Sequence, residues 1–495
     1  MKKVFLFILV LGIFISCKNS MSGKFSLTDG KEPFTLNQNM VSRLAAFAVT
    51  GNCKLDEQQV EDNVLSALSA LTEKGNERAA VTVKDFSLSV PKVSTLKVPS
   101  SLGKTERSAN IQSFDDIKLY LYSTNEGKGN EGWILASNDL RVGTIIAIVD
   151  GKYSEDYEEE NPFMDIFYAG LENHILETVY TWNSLTEEDI RAASPNKYIG
   201  ENSNYKVKKA YYIGNFHTLL NTKWNQNPGY NDFIKAKLGI SVTDNGYPAG
   251  CVAVAVGQIC TYWHYPKACS REALNELKRL NCVPSDWNGK YNYNKMIHYD
   301  HYMPAPVLDD LEEDGQMYVK TLLYDIGKGV NMVYGSSSSS ASVTDTISWL
   351  RSNGFSCDYD SNYDFPHIVN SLDLRRPVLI VYYSKDQDKY TGHAWVIDDY
   401  AHLNCLVENT NTKRSFWIED DYVHCNFGWG GQCNGYYISE VFNADKGPEV
   451  LRQNILKNSD DDFVPYYSDV YDDGQSMPGR YYHYFPEVIY NITLN

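Results

Sequence analysis

Gly250-Cys251-Val252-Ala253-Val254-Ala255-Val256-Gly257-Gln258-Ile259 decides the reading of this 495-residue chain. Pro248, Ala249 and Gly250 spell a turn, and the mostly apolar run from Val252 to Trp263 predicts a buried helix. A thiol at the mouth of that helix meets free backbone N–H groups and the positive end of the helix dipole, both of which favour a thiolate. The Cys251 N–H is also placed to face a developing oxyanion. The rival reading is an inert structural cysteine, the usual fate of a thiol in an apolar helix.

Two downstream segments supply partners for a nucleophile. Gly392-His393-Ala394-Trp395-Val396-Ile397-Asp398 opens an alternating strand, so His393 is expected at a strand end, facing a cleft. Histidine is the side chain that pairs with a thiolate near neutral pH and later protonates a leaving amine. In His424-Cys425-Asn426-Phe427-Gly428-Trp429-Gly430-Gly431, Asn426 is expected to accept the other ring N–H and hold the imidazole in place. The glycines allow close backbone approach around Trp429. The order Cys, His, Asn, with roughly 140 residues between the first two, suits a thiol-dependent attack on an amide.

The whole chain sets bounds. A formal charge of −18 argues against nucleic acid as a partner, because no Lys/Arg cluster is available for phosphates. At this length two or three units are expected. Lys2 and Lys3 precede an apolar run, Val4 to Ile15, too short to span a bilayer, which predicts an export signal over 1–16. Its end, Phe14-Ile15-Ser16-Cys17, resembles a bacterial lipobox, so Cys17 is the expected lipidation site and the lipid the expected membrane anchor. Lys18 in place of a retention aspartate favours, for a Gram-negative cell, an outer-membrane or surface location, with periplasmic or released forms after processing. Export permits disulfides among the ten cysteines; Cys269 with Cys282 is one pairing that would close a short loop. No C-x-x-C pair occurs, and His424, Cys425 and Cys433 form only a weak metal trio. No metal or organic cofactor is expected.

Along the chain, 17–35 reads as a polar tether. Residues 36–185 read as a mixed unit: helical spacing from Asn37 to Glu73, a linker or loosely paired strands over 74–108, three strand-like runs, and a helix from about Pro162 to Trp182. Residues 186–209 are polar and read as an exposed linker. From 210 to 495, helical patterns come first and strands later, an α+β order. Ser336 to Ser340 reads as a flexible loop, and Glu487 to Thr493 as the closing strand.

These motifs resemble the streptopain-like (C10) family of cysteine peptidases, within the papain-like superfamily. Cys251 to Ile259 with Tyr262 and Tyr265-Pro266 matches the family's cysteine segment; Gly392 to Asp398, and Asn426 to Gly431 with Gly435-Tyr436-Tyr437, match its histidine and asparagine segments. Thr222-Lys223-Trp224-Asn225-Gln226 resembles its glutamine segment, which implies that Gln226 donates to the oxyanion. Gly132-Trp133-Ile134-Leu135-Ala136-Ser137-Asn138-Asp139-Leu140-Arg141 resembles its propeptide more weakly. The resemblance implies a zymogen that cleaves protein or peptide substrates, with 36–185 as an intramolecular inhibitor cut away over 186–209. It also implies that the loop around Ser339, Ser340 and Ala341, with Trp429, lines the substrate cleft. Phe427 stands where the family has tryptophan, and Cys425 where it has a β-branched residue. The rival expectations are a catalytically silent surface binding or protease-inhibitor lipoprotein, and, more weakly, a transglutaminase or acyltransferase on the same scaffold.

Overall fold

The structure is a computed structural model describing residues 38–47, 53–75, 87–96, 116–124, 131–153, 162–186, 188–189, 205–214, 218–297, 305–386, 389–411, 413, 415–443 and 484–494. The expected signal, the lipid attachment site Cys17 and the tether lie outside them. The architecture is α+β and antiparallel. Two helices, α1 (Gln38–Phe47) and α2 (Glu57–Gly75), precede strands β1 (Lys92–Leu96), β2 (Ile117–Thr124), β3 (Gly132–Ser137) and β4 (Ile145–Asp150), then helix α3 (Pro162–Ser184). Helix α2 starts where it does because Asp56 and Gln59 cap each other's backbone, Gln59 N donating to Asp56 Oδ1 at 2.9 Å and Asp56 N to Gln59 Oε1 at 3.0 Å.

Strand β5 (Tyr205–Gly214) leads into helices α4 (Asp232–Leu238), α5 (Cys251–Trp263), α6 (Arg271–Arg279) and α7 (Glu313–Gly329). A two-residue hairpin, β6 (Val333–Tyr334) and β7 (Ser339–Ser340), precedes α8 (Val343–Ser352), β8 (Phe355–Asp360) and α9 (Phe365–Asp373). Strands β9 (Val378–Asp386), β10 (Lys389–Asn409), β11 (Ser415–Asn426), β12 (Gly435–Ile438) and β13 (Tyr484–Leu494) follow.

One sheet runs β1-β2-β3-β4-β12-β11-β10-β9-β13-β8, with β5 also paired to β10. The N-terminal strands join it where β4 pairs β12, Ala147 opposite Tyr437 and Val149 opposite Gly435. Strand β10 is long enough to take β9 along 389–397 and β5 along 401–409 on successive stretches. Part of the segment read as an exposed linker, 205–209, is therefore ladder. Its polar residues are those of an edge facing water, and Lys208 reaches Glu408 at 2.6 Å.

The faces of β10 separate two cores, as period-2 alternation requires. Trp395, Ile397, Leu403 and Val407 pack with the N-terminal elements, including Leu44, Val64, Trp133 and Ile175. Ala394 and Val396 pack instead with α5 and α7. Helix α5 is buried from Val252 to Thr261, as an all-round apolar helix must be. Its small residues let neighbours come close: a Cβ added at Gly257 would lie 3.0 Å from both Leu323 and Trp224.

In the N-terminal unit Arg141 holds Asp139 in two bonds, Nε to Oδ1 at 2.9 Å and a terminal nitrogen to Oδ2 at 2.7 Å, both side chains buried. Burial raises the Asp139 pKa, but Arg141 and Lys54 outweigh it and leave the carboxyl below its ordinary value. The stability this carboxylate contributes is thus full above the ordinary Asp range and lost as pH falls through its depressed pKa. Arg141→Ala strands a buried carboxylate and is expected to cost about 3–5 kcal/mol in urea unfolding of the whole chain.

Several expectations are corrected. All nine described cysteines, Cys269 and Cys282 among them, are free thiols. The Ser336–Ser340 run is not merely loose. Tyr334 pairs Ser339 across the hairpin, and the buried Ser339 hydroxyl donates to the Pro248 carbonyl at 2.7 Å. The closing strand is longer than expected, from Tyr484 to Leu494.

Candidate active site

Cys251 is the first residue of α5. Gly250 before it has φ +94°, a left-handed conformation that only glycine adopts without strain, and that bend delivers the thiol to the helix mouth. Cys251 is partly exposed. Desolvation raises its thiol pKa, while the backbone N–H groups of Ala394, Val252 and Cys251 itself act to lower it. The Ala394 N–H faces the sulfur, so the thiol lies against the residue next to His393.

The imidazole is anchored by a backbone carbonyl and by neighbouring rings. His393 is buried, and its Nε2 donates to the Phe427 carbonyl at 2.9 Å. Its ring stacks on Trp429 with centroids 4.2 Å apart and on Trp395 at 6.0 Å, so it shares the Trp395 face of β10. Burial drives its pKa down to about 4, the Phe427 carbonyl offsetting only part of this. A raised thiol and a lowered imidazole are both neutral at pH 7. Thiolate and imidazolium require the opposite order.

The expected Asn426–His393 hydrogen bond is not made. Asn426 Nδ2 donates to Thr222 O at 2.8 Å, and its Oδ1 accepts from Gln258 Nε2 at 3.2 Å and Gly428 N at 3.3 Å. The side chain is spent on tying β11 to the 222 segment and to α5. The ring nitrogen is left to the backbone of the next residue. Gln258 is the hub that residue patterns missed: fully buried, its Oε1 also accepts from Thr222 Oγ1 at 2.9 Å. A glutamine inside an otherwise apolar helix is the signal that marks it.

Gln226 is tied to the segment that leads into α5. Its carbonyl accepts from Ala249 N at 3.1 Å, two residues before Cys251. Among the described residues its side-chain amide has no hydrogen-bond partner. Gly430 N donates to Trp224 O at 2.8 Å, fastening the Trp429 loop to this segment. Of the residues expected to line a cleft, Ser339 is turned inward onto Pro248, Ser340 is exposed and Ala341 half-buried.

The trio His424, Cys425 and Cys433 is not a metal cluster. Cys425 and Cys433 are buried, and His424 Nδ1 lies 2.6 Å from Asp398 Oδ1. Another group, His402, Glu419 and Asp421, brings one ligand atom from each side chain within 4.8 Å of the others. It belongs to the distal part of the β10–β11 ladder and does not include the thiol or its neighbours.

Residues 224–437, which contain Cys251, His393 and Asn426, match the model of the Peptidase C10 family. Streptopain from Streptococcus pyogenes is 24% identical over 374 residues, covering 68% of this chain and 80% of that protein. A fragment of prointerpain A from Prevotella intermedia aligns with 72% of this chain and 93% of its own at 19% identity and a TM-score of 0.39. Active wild-type interpain A, a cysteine protease of the same organism, aligns with 45% of this chain and 85% of its own at 24% identity and a TM-score of 0.29. The match across 224–437 and the extended similarity to streptopain support a streptopain-like cysteine peptidase of the C10 type.

Proposed function

We propose that this peptidase is an exported, lipid-anchored zymogen that hydrolyses peptide bonds through an acyl-enzyme on Cys251. In this reading His393 takes the thiol proton, then gives it to the leaving amine, and later activates the water that frees the acyl group. Gln226 and the Cys251 N–H bind the oxyanion in both steps. The observation that carries the reading is the juxtaposition at the start of α5, where the Cys251 sulfur meets the backbone of the residue after His393 and the Gln226 carbonyl fastens Ala249, two residues before the thiol.

The same reading explains the reversed order of the two pKa shifts. The N-terminal unit shares a sheet and a core with β10–β12, and in that assembly the imidazole stacks on Trp395 and Trp429. Removing the unit would free the loop that carries Trp429. The 36–185 unit then acts as the chain's own inhibitor, and cleavage N-terminal to β5 releases it.

Hydrolysis of fluorescein-labelled casein after limited proteolysis tests the roles. Gln226→Ala is expected to lower kcat by about 10²- to 10³-fold with little change in KM, as loss of one oxyanion donor does. A wild-type kcat in that variant would remove Gln226 from the mechanism. Anchoring has its own test. Palmitate labelling and membrane association are expected for the full chain and lost in Cys17→Ser, and a soluble, unlabelled wild-type protein would contradict it.

A further inference from the structure

We propose that His402, Glu419 and Asp421, with the side-chain amide of Asn404, form a binding site for a divalent transition-metal cation of the zinc class on the distal β10–β11 ladder. In the register of these strands His402 lies directly across from Asp421, and Asn404 directly across from Glu419. Residues two apart on a strand share a face, so all four stand on one face of the ladder. His402 Nδ1 lies 2.6 Å from Asp421 Oδ1 and 3.9 Å from Glu419 Oε1. One ligand atom from each of these three side chains falls within 4.8 Å of the others. Ligands held about 2.0–2.2 Å from a tetrahedral zinc stand roughly 3.4 Å apart, a spacing inside the range these atoms already span.

An ordinary His–Asp ion pair would need neither Glu419 nor Asn404. Glu419 brings a second carboxylate to the same ring nitrogen. Asn404 is the independent sign. Its side chain is only 7% exposed, yet its Nδ2 has no hydrogen-bond partner among the described residues, a state that buried amides ordinarily avoid. Turned over about its last bond, the amide brings its carbonyl oxygen to that buried position, where a cation would satisfy it. The imidazole is held ready by two rings, Phe365 with centroids 5.9 Å apart at 90° and Tyr400 at 5.5 Å and 75°. A further carboxylate, Asp373, accepts from the Tyr400 hydroxyl at 2.7 Å and stands outside the ligand set. One imidazole with carboxylate and amide oxygens suits Zn²⁺ and its first-row neighbours, whereas Ca²⁺ and Mg²⁺ favour oxygen alone. A bound ion would clasp β10 to β11 along the stretch where β5 also pairs with β10, Ile213 opposite His402 and Tyr211 opposite Asn404.

The test is calorimetric titration of Zn²⁺ alone into the EDTA-treated, dialysed full chain carrying Cys251→Ala, which keeps the ion off the reactive thiol. One equivalent is expected to bind. His402→Gln and Glu419→Gln, both at partly open positions, are each expected to weaken binding by at least about 100-fold, and Asn404→Leu by at least about tenfold, the range in which lost metal contacts fall. His367→Gln is the control. That imidazole also has two carboxylates near it, Asp360 at 3.8 Å and Asp364 at 3.9 Å, and its loss is expected to leave the affinity as it was.

Two further readouts bear on the same site. Co²⁺ in place of Zn²⁺ is expected to give visible d–d bands without a thiolate charge-transfer band, because no sulfur belongs to the ligand set. The urea midpoint is expected to rise with Zn²⁺ in the parent protein and to stay fixed in His402→Gln, since an ion bound only by the folded state stabilises it. No saturable Zn²⁺ binding by the folded parent overturns the proposal. So does undiminished binding in His402→Gln or Asn404→Leu, or a thiolate band with Co²⁺. None of these measurements uses peptide-bond hydrolysis, so the site and the peptidase reading stand or fall separately.

Discussion

Cys251→Ala will abolish peptide-bond hydrolysis by the processed protein, with kcat falling by roughly five to six orders of magnitude, as when the nucleophile of a covalent protease is deleted. The reason is that no other described thiol has this setting. Cys260 and Cys425 are buried, with burial driving their thiols far up, whereas Cys251 is partly exposed and faces backbone N–H groups at a helix mouth. The substitution removes one sulfur from a partly open position, so urea unfolding should stay within about 1 kcal/mol of wild type. Labelled casein measures the first quantity and tryptophan fluorescence the second. Retained hydrolysis in a folded Cys251→Ala protein would move the chemistry elsewhere.

The second large effect is a change in the pH profile of Cys251 on processing. In the intact chain the thiol is raised and His393 is held down near 4, so neither is charged between those values. Alkylation of Cys251 should therefore climb only beyond the ordinary thiol range, about pH 8.5. Once the N-terminal unit is removed and water and substrate reach the site, a thiolate at 251 and an imidazolium at 393 are expected to stabilise each other. The thiol pKa falls, the imidazole pKa rises, and a reactive plateau should open at mildly acidic pH. The rate at pH 6 is expected to rise by at least about 10²-fold, which two units of thiol pKa account for. Acid also loosens the latent state. A histidine whose pKa is lower folded than unfolded costs stability as pH falls from about 6.5 toward 4, because the unfolded chain takes up the proton first. Processing should accordingly run faster at pH 5 than at pH 7.5, which a gel time course measures.

What could be read from residues alone follows the range of the forces involved. The helix opened by Cys251 and the strand carrying His393 are set by local signals: a glycine turn before an apolar run, and alternation over Ala394 to Ile397. The α+β order was legible for the same reason. Strand β5 was not, because Lys206, Lys208 and Lys209 read as solvent-exposed linker. Only its partner β10, some 200 residues away in sequence, makes it a ladder. The Asp56–Gln59 cap that starts α2 was not singled out within the helical spacing of 37–73, and the inward turn of Ser339 depends on where the Pro248 carbonyl lies.

The site divides similarly. Candidate nucleophile and histidine stand in motifs with enough local pattern to be singled out, whereas Gln226 was reached only through the family resemblance. The engagement of Asn426 was misjudged because it depends on Thr222 and Gln258, brought to it by tertiary packing. The group that meets the imidazole, the Phe427 carbonyl, is backbone, and any residue type would supply it. Gln258 stood out as a polar residue in an apolar run, but its partners Thr222 and Asn426 come from distant segments. A buried polar side chain shows its purpose only once its partners are known.

The most direct test is the mass of the protein after exposure to an epoxysuccinyl thiol-protease inhibitor, before and after limited proteolysis, with tandem spectra locating any adduct. The structure predicts no adduct on the intact chain and a single one, on Cys251, after the N-terminal unit is removed, lost again in His393→Ala. An adduct on a different cysteine, or none in either state while Cys251 is reduced, would contradict a thiol–imidazole pair assembled from residues 251 and 393.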